Sequence, residues 1–330
     1  MMKLKNLITL LTTAILTSTF FTGCSNNNSG INGTINVYNC ADYIDESLIS
    51  KFEDETWIKV IYDKYDTNEI MYQKIQTSPG VYDLVFPSDY MVEKMRKEGL
   101  LEKLNFNNIP NYKYISDDFL NLSYDPTNEY SVPYMWGTIG ILYDSTVITE
   151  PVTSWDILWD EKYKDNIYMF DSLRDSLAIA LIKNGYSLNS TNPDEIKDNM
   201  IAGEKALATV YSGDASYSIS GNPNLKYAIP QEGSNRWVDS MTIPKGAPNK
   251  AGAEAFINFL CDPENAKINV EYIEYSTPNY GAYELLDDDV KNNPVAYPPE
   301  YVLDKCSIFT DLDKKSLKLY EEAFMDVLTH

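Results

Sequence analysis

The sequence predicts an α/β fold of two lobes, in which each lobe is a mostly parallel sheet flanked by helices and crossing hinge strands join the lobes. Segments of strand and helix character alternate in the order β-α-β-α-β over residues 34–99, which is typical of a parallel, doubly wound sheet. A long apolar strand, "YSVPYMWGTIGILYD" at 130–144, follows a loop-rich passage and could cross between the lobes. These features together indicate a hinge-and-cleft protein.

The first half of the chain is divided by the spacing of its apolar residues. Ser88 is predicted to cap the third helix and Gly99 to close it, because these residue types favour the two ends of a helix. In chain order, we predict a strand at 34–40, a helix at 46–56, a strand at 57–65, a helix at 68–77, a strand at 82–88 and a helix at 89–99.

The second half repeats this pattern. Its closing helix should bury a stripe formed by Leu317, Tyr320, Phe324 and Val327. Further strands are predicted at 166–172, 206–213, 225–233 and 237–244, and helices near 173–185, at 250–261 and at 316–328. The two lobes are predicted to be formed by residues 34–132 with 240–283, and by residues 133–239 with 284–330.

The N-terminus has the pattern of an export signal. Two lysines precede the apolar stretch "LITLLTTAILTSTFF", which is short and rich in hydroxyl groups, and "FTGC" then ends at Cys24. Small residues directly before a cysteine resemble the lipobox of bacterial lipoproteins. We therefore predict a signal peptide at 1–23 and a lipidated Cys24 that begins a flexible tether at 24–33. The protein should lie outside the cytoplasm, anchored by lipid to the outer face of the cytoplasmic membrane.

Composition excludes several classes of function. The formal net charge is −22, which disfavours nucleic acid and anionic lipid as partners and is compatible with a cationic ligand. The only histidine is His330, so a catalytic triad and a His-ligated metal are excluded. The cysteines after Cys24 are odd in number and have no CxxC spacing, so neither a disulfide framework nor a zinc site is predicted. We expect no metal and no cofactor.

The stretch "RWVDSMTIP" at 236–244 carries an aromatic ring and a carboxylate two positions apart. If it forms a strand, Trp237 and Asp239 lie on the same face, because strand side chains repeat with a period of two. This pair has two interpretations: a half-buried strand with an incidental acid, or part of a pocket for a cation with an apolar body. A polyamine is a methylene rod that carries ammonium groups at intervals, so it would need both kinds of side chain.

The whole mature chain resembles the spermidine/putrescine-binding proteins of bacterial polyamine ABC importers. The segments that carry the resemblance are "VYNCADYID", "KVIYDKYDTNEIMYQKI", "YDLVFPSDYMVEKMRKEGLLEKL", "YSVPYMWGTIGI", "VTSWDILWDEKYK", "RWVDSMTIPKGAPNKAGAEAFINFL" and "YSTPNYGAYELL". The resemblance implies a two-lobed clamshell of the periplasmic-binding-protein type II, without enzymatic activity. Such a protein closes on a polyamine and presents it to membrane permease subunits that are driven by a cytoplasmic ATPase. It also implies a monomer.

The resemblance also implies a set of ligand-binding positions. Tyr211 falls where relatives often have Trp, and Asp42 falls on a position that is acidic in relatives but is less firmly tied to the ligand. The implied ligand-binding residues are Tyr43, Ser88, Tyr90, Asp175, Tyr211, Trp237, Asp239, Tyr275 and, less strongly, Asp42.

The chain departs from the family pattern at several positions. Cys40 stands where relatives commonly have Trp, Ser172 replaces an acid found in some relatives, and Phe309 lies near a polar position. The segments "NPDEIKD" and "MIAGEKALA" are fused near residues 198–200, where relatives have an additional helix and strand. We therefore expect the second lobe to be destabilised or its cleft to be open on one side.

Three alternatives to polyamine capture remain at this point. A protein of the same fold could bind another small cation or ferric ion, although no pair of adjacent tyrosines falls on the implied positions. The fusion near 198–200 is also compatible with a degenerate or sensory relative with impaired binding. The third alternative is a secreted glycoside hydrolase with two carboxylates, for which nothing in the sequence orders the acids.

Overall fold

The computed structural model describes residues 33–40, 42–164, 166–170, 172–192 and 207–329. The predicted signal peptide, Cys24, most of the tether and the fused segment near 198–200 lie outside the described residues. The strands are β1 Gly33–Cys40, β2 Ile58–Tyr65, β3 Leu84–Val85, β4 Ser131–Asp144, β5 Ile167–Tyr168, β6 Leu207–Tyr211, β7 Leu225–Ala228 and β8 Arg236–Thr242.

The strands form one mixed sheet. Its order is β2-β1-β3-β8-β4-β6-β5, and β7 pairs with β4 beside this path. β1 pairs in parallel with β2 and β3, and β5 pairs in parallel with β6, as the β-α-β pattern predicts. β8 is antiparallel to both β3 and β4. Alternation of helices and strands predicts the direction of strands joined by a crossover helix, but it carries no information about strands that pair across long sequence separations.

Strand β4 belongs to two groups of strands. Its first part, from Ser131 to Thr138, pairs with β8, and its second part, from Ile139 to Asp144, pairs with β6 and β7. The register shifts between Pro133 and Met135. Proline has no N–H to donate to the sheet, so a bulge is the place in a central strand that tolerates it. β4 thus connects the sheet around β1–β3 to the strands β5–β7.

Helices cover the sheet and the ends of its strands. The α-helices are α1 Glu46–Thr56, α2 Asn68–Thr77, α3 Asp89–Lys97, α4 Leu173–Lys183, α5 Ser212–Gly221, α6 Lys250–Leu260, α7 Pro263–Ile273, α8 Tyr280–Leu285, α9 Asp288–Lys291, α10 Glu300–Leu303 and α11 Lys314–Thr329. Short 3-10 helices lie at Phe106–Asn108, Pro110–Tyr114, Asp117–Phe119, Trp155–Trp159 and Glu161–Tyr163. None of the helices in the described residues is long and apolar enough to span a bilayer.

Several predicted elements are shorter in the structure. The predicted strand 82–88 is reduced to Leu84–Val85, because Pro87 cannot donate a hydrogen bond to a neighbouring strand and α3 begins two residues later. The strand predicted at 225–233 ends at Ala228, before Pro230. Helix α5 follows β6 directly and is absent from the sequence prediction.

The prediction that the Ser88 side chain caps α3 is wrong. Ser88 occupies the N-cap position, but its side chain makes no cap hydrogen bond. Instead, Nδ2 of Asn68 donates a hydrogen bond of 2.9 Å to Oγ of Ser88. By contrast, the Asp45 and Thr67 side chains cap α1 and α2 by accepting backbone hydrogen bonds.

Apolar residues of both halves form the core around the sheet. Phe52 of α1 packs edge-on against Phe256 of α6, with ring centroids 4.7 Å apart, and so joins the two helices. A second cluster joins α4 to α11, where Tyr320 is fully buried and Leu317 and Phe324 pack against it. This arrangement confirms the predicted stripe for those three residues, and the Val327 side chain lies outside the described residues.

Candidate ligand-binding site

The predicted site residues come from loops and helix starts at the ends of strands. Tyr43 follows β1, and Ser88 and Tyr90 lie at the start of α3, just after β3. Because β1 and β3 are parallel, their carboxyl ends meet at one edge of the sheet. Trp237 and Asp239 lie on β8, which is a strand as predicted and crosses the same region. The strand geometry places these two side chains on one face.

Aromatic rings form a continuous series through the site. The Tyr43 ring contacts the Tyr275 ring at a centroid distance of 5.7 Å, and Tyr275 contacts Trp237 at 5.2 Å. Trp237 in turn contacts Tyr211 at 6.0 Å, and Tyr211 packs on Phe170 at 4.6 Å. The three contacts from Tyr43 to Tyr211 are edge-to-face, so ring faces and edges alternate along the series. We call these five residues the ring series.

Asp239 lies at one end of the ring series. The Tyr43 hydroxyl donates a hydrogen bond of 2.7 Å to its Oδ2, whereas its buried Oδ1 has no hydrogen-bond partner within the described part of the chain. Burial raises the pKa of Asp239 to about 6, and the Ser88 and Tyr43 side chains offset part of that rise. The carboxylate is therefore ionised at neutral pH and retains an acceptor oxygen that an additional donor could use.

Asp175 lies near the other end of the ring series, in the first turn of α4. Its Oδ2 accepts hydrogen bonds from the Ser172 hydroxyl at 2.6 Å and from the Tyr211 hydroxyl at 2.7 Å. Burial raises the pKa of Asp175, and these two hydrogen bonds oppose the rise. Desolvation also raises the pKa of both Tyr211 and Tyr43, so their hydroxyls stay protonated and act as donors.

Ser88 and Tyr90 lie on the α3 side of the site. The Tyr90 hydroxyl donates to Oε1 of Glu69 over 3.0 Å, and the Arg174 guanidinium lies 5.4 Å from the centre of the Tyr90 ring. Ser88 forms an isolated bridge to Asp239 through the backbone, and its side chain helps to hold the pKa of Asp239 down. Ser88 thus lies beside Asp239, and Tyr90 lies beside the buried Arg174.

Asp42 is the predicted residue that the structure places outside this group. Its side chain is 86% exposed and forms an ion pair with Lys64 at 3.0 Å. Its backbone φ of 54° lies in the left-handed region, which Asp tolerates better than most residues. The orientation of the chain at this turn separates Asp42 from its neighbour Tyr43, which is buried.

Three charged residues of this region have no counterpart in the sequence predictions. Asp89 is fully buried and accepts hydrogen bonds from the backbone N–H groups of Tyr90 and Val238, while burial holds its pKa well above the usual value.

Arg174 is 6% exposed, and its guanidinium stacks on Phe309 at 4.5 Å. Asp214 lies in the first turn of α5, beside Tyr275. The position of Asp89, directly after Ser88, is the one signal that could have identified it.

The arrangement matches the chemistry of a cationic ligand with an apolar body. Two carboxylates lie at separate points of a series of aromatic rings, and each shares one oxygen with a tyrosine hydroxyl. An ammonium group can bind to a carboxylate and to a ring face at the same time, and methylene groups can pack between the rings. Within the described residues there is no group of three or more His, Cys, Asp or Glu side chains that could hold a metal ion.

Comparison with known proteins identifies the family. The profile of the bacterial extracellular solute-binding proteins matches residues 80–302, which is more than half of the chain. This chain belongs to that family. A second profile, described as a hypothetical lipoprotein of the MG045 family, matches residues 1–122.

Relatives from other bacteria are similar over most of the length of the chain. The spermidine/putrescine-binding periplasmic protein of Salmonella typhimurium is 38% identical over 326 residues, covering 92% of this chain and 93% of the relative. The putrescine-binding periplasmic protein of Pseudomonas aeruginosa is 33% identical over 326 residues, covering 86% and 89%.

Solved structures show the same fold. A putative spermidine/putrescine ABC transporter protein from Listeria monocytogenes superposes with a TM-score of 0.85 at 40% identity, covering 89% of this chain and 98% of that chain. The spermidine/putrescine ABC transporter substrate-binding protein of Streptococcus pneumoniae gives a TM-score of 0.80 at 38% identity, covering 90% and 99%. These similarities confirm the predicted α/β fold of the type II periplasmic binding proteins.

Proposed function

We propose that this protein captures a polyamine, spermidine or putrescine, in the site formed by the ring series and delivers it to an ABC importer. The observation that carries the proposal is the pairing of Asp239 and Asp175 with Tyr43 and Tyr211 at separate points of that series. Each phenol donates to an oxygen that an ammonium group can also contact. The names of the relatives support the choice of polyamine over other cations.

The ligand-binding residues in this proposal are the aromatic and acidic residues of the site, with Ser88 and Tyr90 at its border. Asp42 is left out of the proposed set, because its side chain is exposed and paired with Lys64. The proposed set is Tyr43, Ser88, Tyr90, Asp175, Tyr211, Trp237, Asp239 and Tyr275.

Closure of the site would take place between two lobes. The predicted lobe bounds place crossings near residues 132–133, 239–240 and 283–284, and β4 and β8 run side by side at the first two. The register shift of β4 between Pro133 and Met135 lies next to the first crossing and supports a bend there. Asp239 would then lie at the crossing itself, where a bound ligand contacts both lobes.

The protein would be held at the outer face of the cytoplasmic membrane by a lipid on Cys24. The match of residues 1–122 to a lipoprotein profile supports this part of the proposal, together with the small residues that precede Cys24. The partners would be the permease subunits of the importer and their cytoplasmic ATPase, and the receptor would act as a monomer.

Isothermal titration calorimetry of residues 25–330 tests the proposal. Spermidine, putrescine, lysine and ferric citrate are titrated in turn into ligand-free protein in the same buffer. We expect saturable binding of one molecule of at least one polyamine and none of lysine or ferric citrate. Binding of ferric citrate alone would favour the alternative of an iron receptor, and the absence of binding by all four would favour a degenerate or sensory relative.

A further inference from the structure

A network of polar contacts joins helix α3 to the loop that precedes α11. The backbone N–H of Asp311 donates a hydrogen bond of 2.8 Å to Oε2 of Glu93. Oε1 of the same carboxylate lies 2.9 Å from Nζ of Lys97, and that ammonium group also lies 3.5 Å from Oδ2 of Asp311. Each of the three residues therefore contacts the other two. We call these three residues the α3 network.

The two sides of the α3 network belong to different parts of the molecule. Helix α3 follows β3 directly and lies in the first proposed lobe. Asp311 lies in the second proposed lobe, and its neighbour Thr310 is held there by two contacts. The N–H of Thr310 donates a hydrogen bond of 2.9 Å to Oδ1 of Asn189, and its carbonyl oxygen accepts one of 3.2 Å from Arg174 of α4. The α3 network therefore joins one proposed lobe to the other through residues outside the crossing strands β4 and β8.

The α3 network is partly shielded from water. The side chains of Glu93 and Asp311 are 12% and 19% exposed, whereas that of Lys97 is 48% exposed. Nearby, the Tyr90 ring of α3 packs edge-on against the buried Phe309, with ring centroids 6.2 Å apart. A hydrogen bond from a backbone N–H to a shielded carboxylate is stronger than a half-exposed ion pair. Glu93 should therefore contribute more than Lys97 to holding the two sides together.

We propose that the α3 network is a latch that stabilises the closed arrangement of the two lobes without contacting the ligand. The inference rests on the proposed function, because it concerns the closure that retains the ligand. Opening of the lobes would separate α3 from residue 311 and break the contacts between them. A contact that exists only in the closed arrangement raises the affinity of every ligand that requires closure, and it does so by the same factor. Glu93 and Lys97 are thus positioning residues.

The test compares spermidine and putrescine binding to wild-type protein, E93A, K97M and the control E98A by calorimetry. Glu98 is the C-cap residue of α3, and its side chain contacts Lys94 at 3.6 Å and the Tyr72 hydroxyl at 2.6 Å, both in the first proposed lobe. E98A therefore removes the same charge as E93A, and an ion pair of the same spacing, from the same helix. E93A should weaken the binding of both polyamines about tenfold and K97M about threefold, whereas E98A should leave both affinities unchanged.

The two latch substitutions change the net charge in opposite directions. E93A removes a negative charge and K97M removes a positive charge, so a long-range electrostatic effect on a cationic ligand would weaken binding in the first variant and strengthen it in the second. Loss of a latch weakens binding in both. The inference is wrong if K97M strengthens binding, if E98A weakens it as much as E93A does, or if neither latch substitution changes the affinities. If E93A does not fold, the direction of the change in K97M decides.

Hydrogen exchange of the Asp311 amide separates the latch from the proposed function. It is measured without ligand and, where spermidine binds, at saturation. The amide should exchange about tenfold more slowly in wild-type protein and E98A than in E93A, because Glu93 accepts its hydrogen bond. If wild-type protein binds neither polyamine, the proposed function fails, but this difference in exchange would still support the latch. Equal exchange rates in wild-type protein and E93A under every condition would overturn it.

Discussion

Replacement of Asp239 by Asn should stabilise the ligand-free protein at neutral pH and at the same time weaken polyamine binding. Burial raises the pKa of this carboxyl from 3.8 to about 6. The folded protein therefore binds the proton more tightly than the unfolded chain, so the free energy of unfolding falls as the pH rises from about 4 to about 6. This fall in the free energy of unfolding is complete above pH ~7.

The size of the effect follows from the shift. One pKa unit corresponds to about 1.4 kcal/mol, so the ionised Asp239 lowers the free energy of unfolding by at most about 3 kcal/mol. Asn carries no charge and occupies nearly the same volume. Its neutral amide oxygen accepts a weaker hydrogen bond from Tyr43 than the carboxylate does, and this reduces the gain in stability by about 1 kcal/mol. We expect a net stabilisation of about 1–3 kcal/mol at about pH 8 and little difference at about pH 4.

Denaturant unfolding of residues 25–330 without polyamine measures this difference at both pH values. Asp42→Asn is the matched control, because Asp42 is exposed and its ion pair with Lys64 is a surface contact. Its effect should stay within about 0.5 kcal/mol at either pH. The reasoning would be refuted if the Asp239→Asn variant were less stable than the wild type at about pH 8. It would also be refuted if the free energies of unfolding of variant and wild type differed by the same amount at both pH values.

Other predictions concern binding, pH and the membrane anchor. Asp175→Asn should weaken polyamine binding by about 1–3 kcal/mol through loss of a charged hydrogen bond, and Trp237→Ala by a similar amount through lost ring contacts, as calorimetry would measure. Since an ammonium partner requires the ionised form of Asp239, affinity should fall about tenfold for each pH unit below about 6, and a flat profile from about pH 5 to 8 would contradict this. Cys24→Ser should leave an unprocessed precursor that no longer partitions with detergent-extracted lipoproteins, and unchanged membrane attachment would exclude the lipobox.

Much of the fold could be predicted because local patterns carry it. The bounds of α1 and α2 follow from their apolar spacing. The pair Trp237 and Asp239 on β8 was recognisable from strand period alone. The antiparallel pairing of β8 with β3 and β4 was not, since strands that pair across long sequence separations leave no local signal.

The site was predictable in its members but not in its contacts. The resemblance to a family supplied Tyr43, Asp175, Tyr211 and Tyr275, which the structure brings into one region. It could not show that tyrosine hydroxyls already bind the carboxylates, because such pairs form between residues as far apart as Tyr43 and Asp239. Nor could the sequence show that Asp42 is exposed to solvent while its neighbour Tyr43 is buried in the site.

The most direct test of the central claim is a crystal structure of residues 25–330 grown with spermidine. The account predicts ammonium nitrogens about 3 Å from carboxylate oxygens of Asp239 and Asp175, with methylene groups packed against Trp237. A structure in which spermidine binds elsewhere, while Asp239 keeps only its Tyr43 partner and Asp175 keeps only its Ser172 and Tyr211 partners, would contradict it.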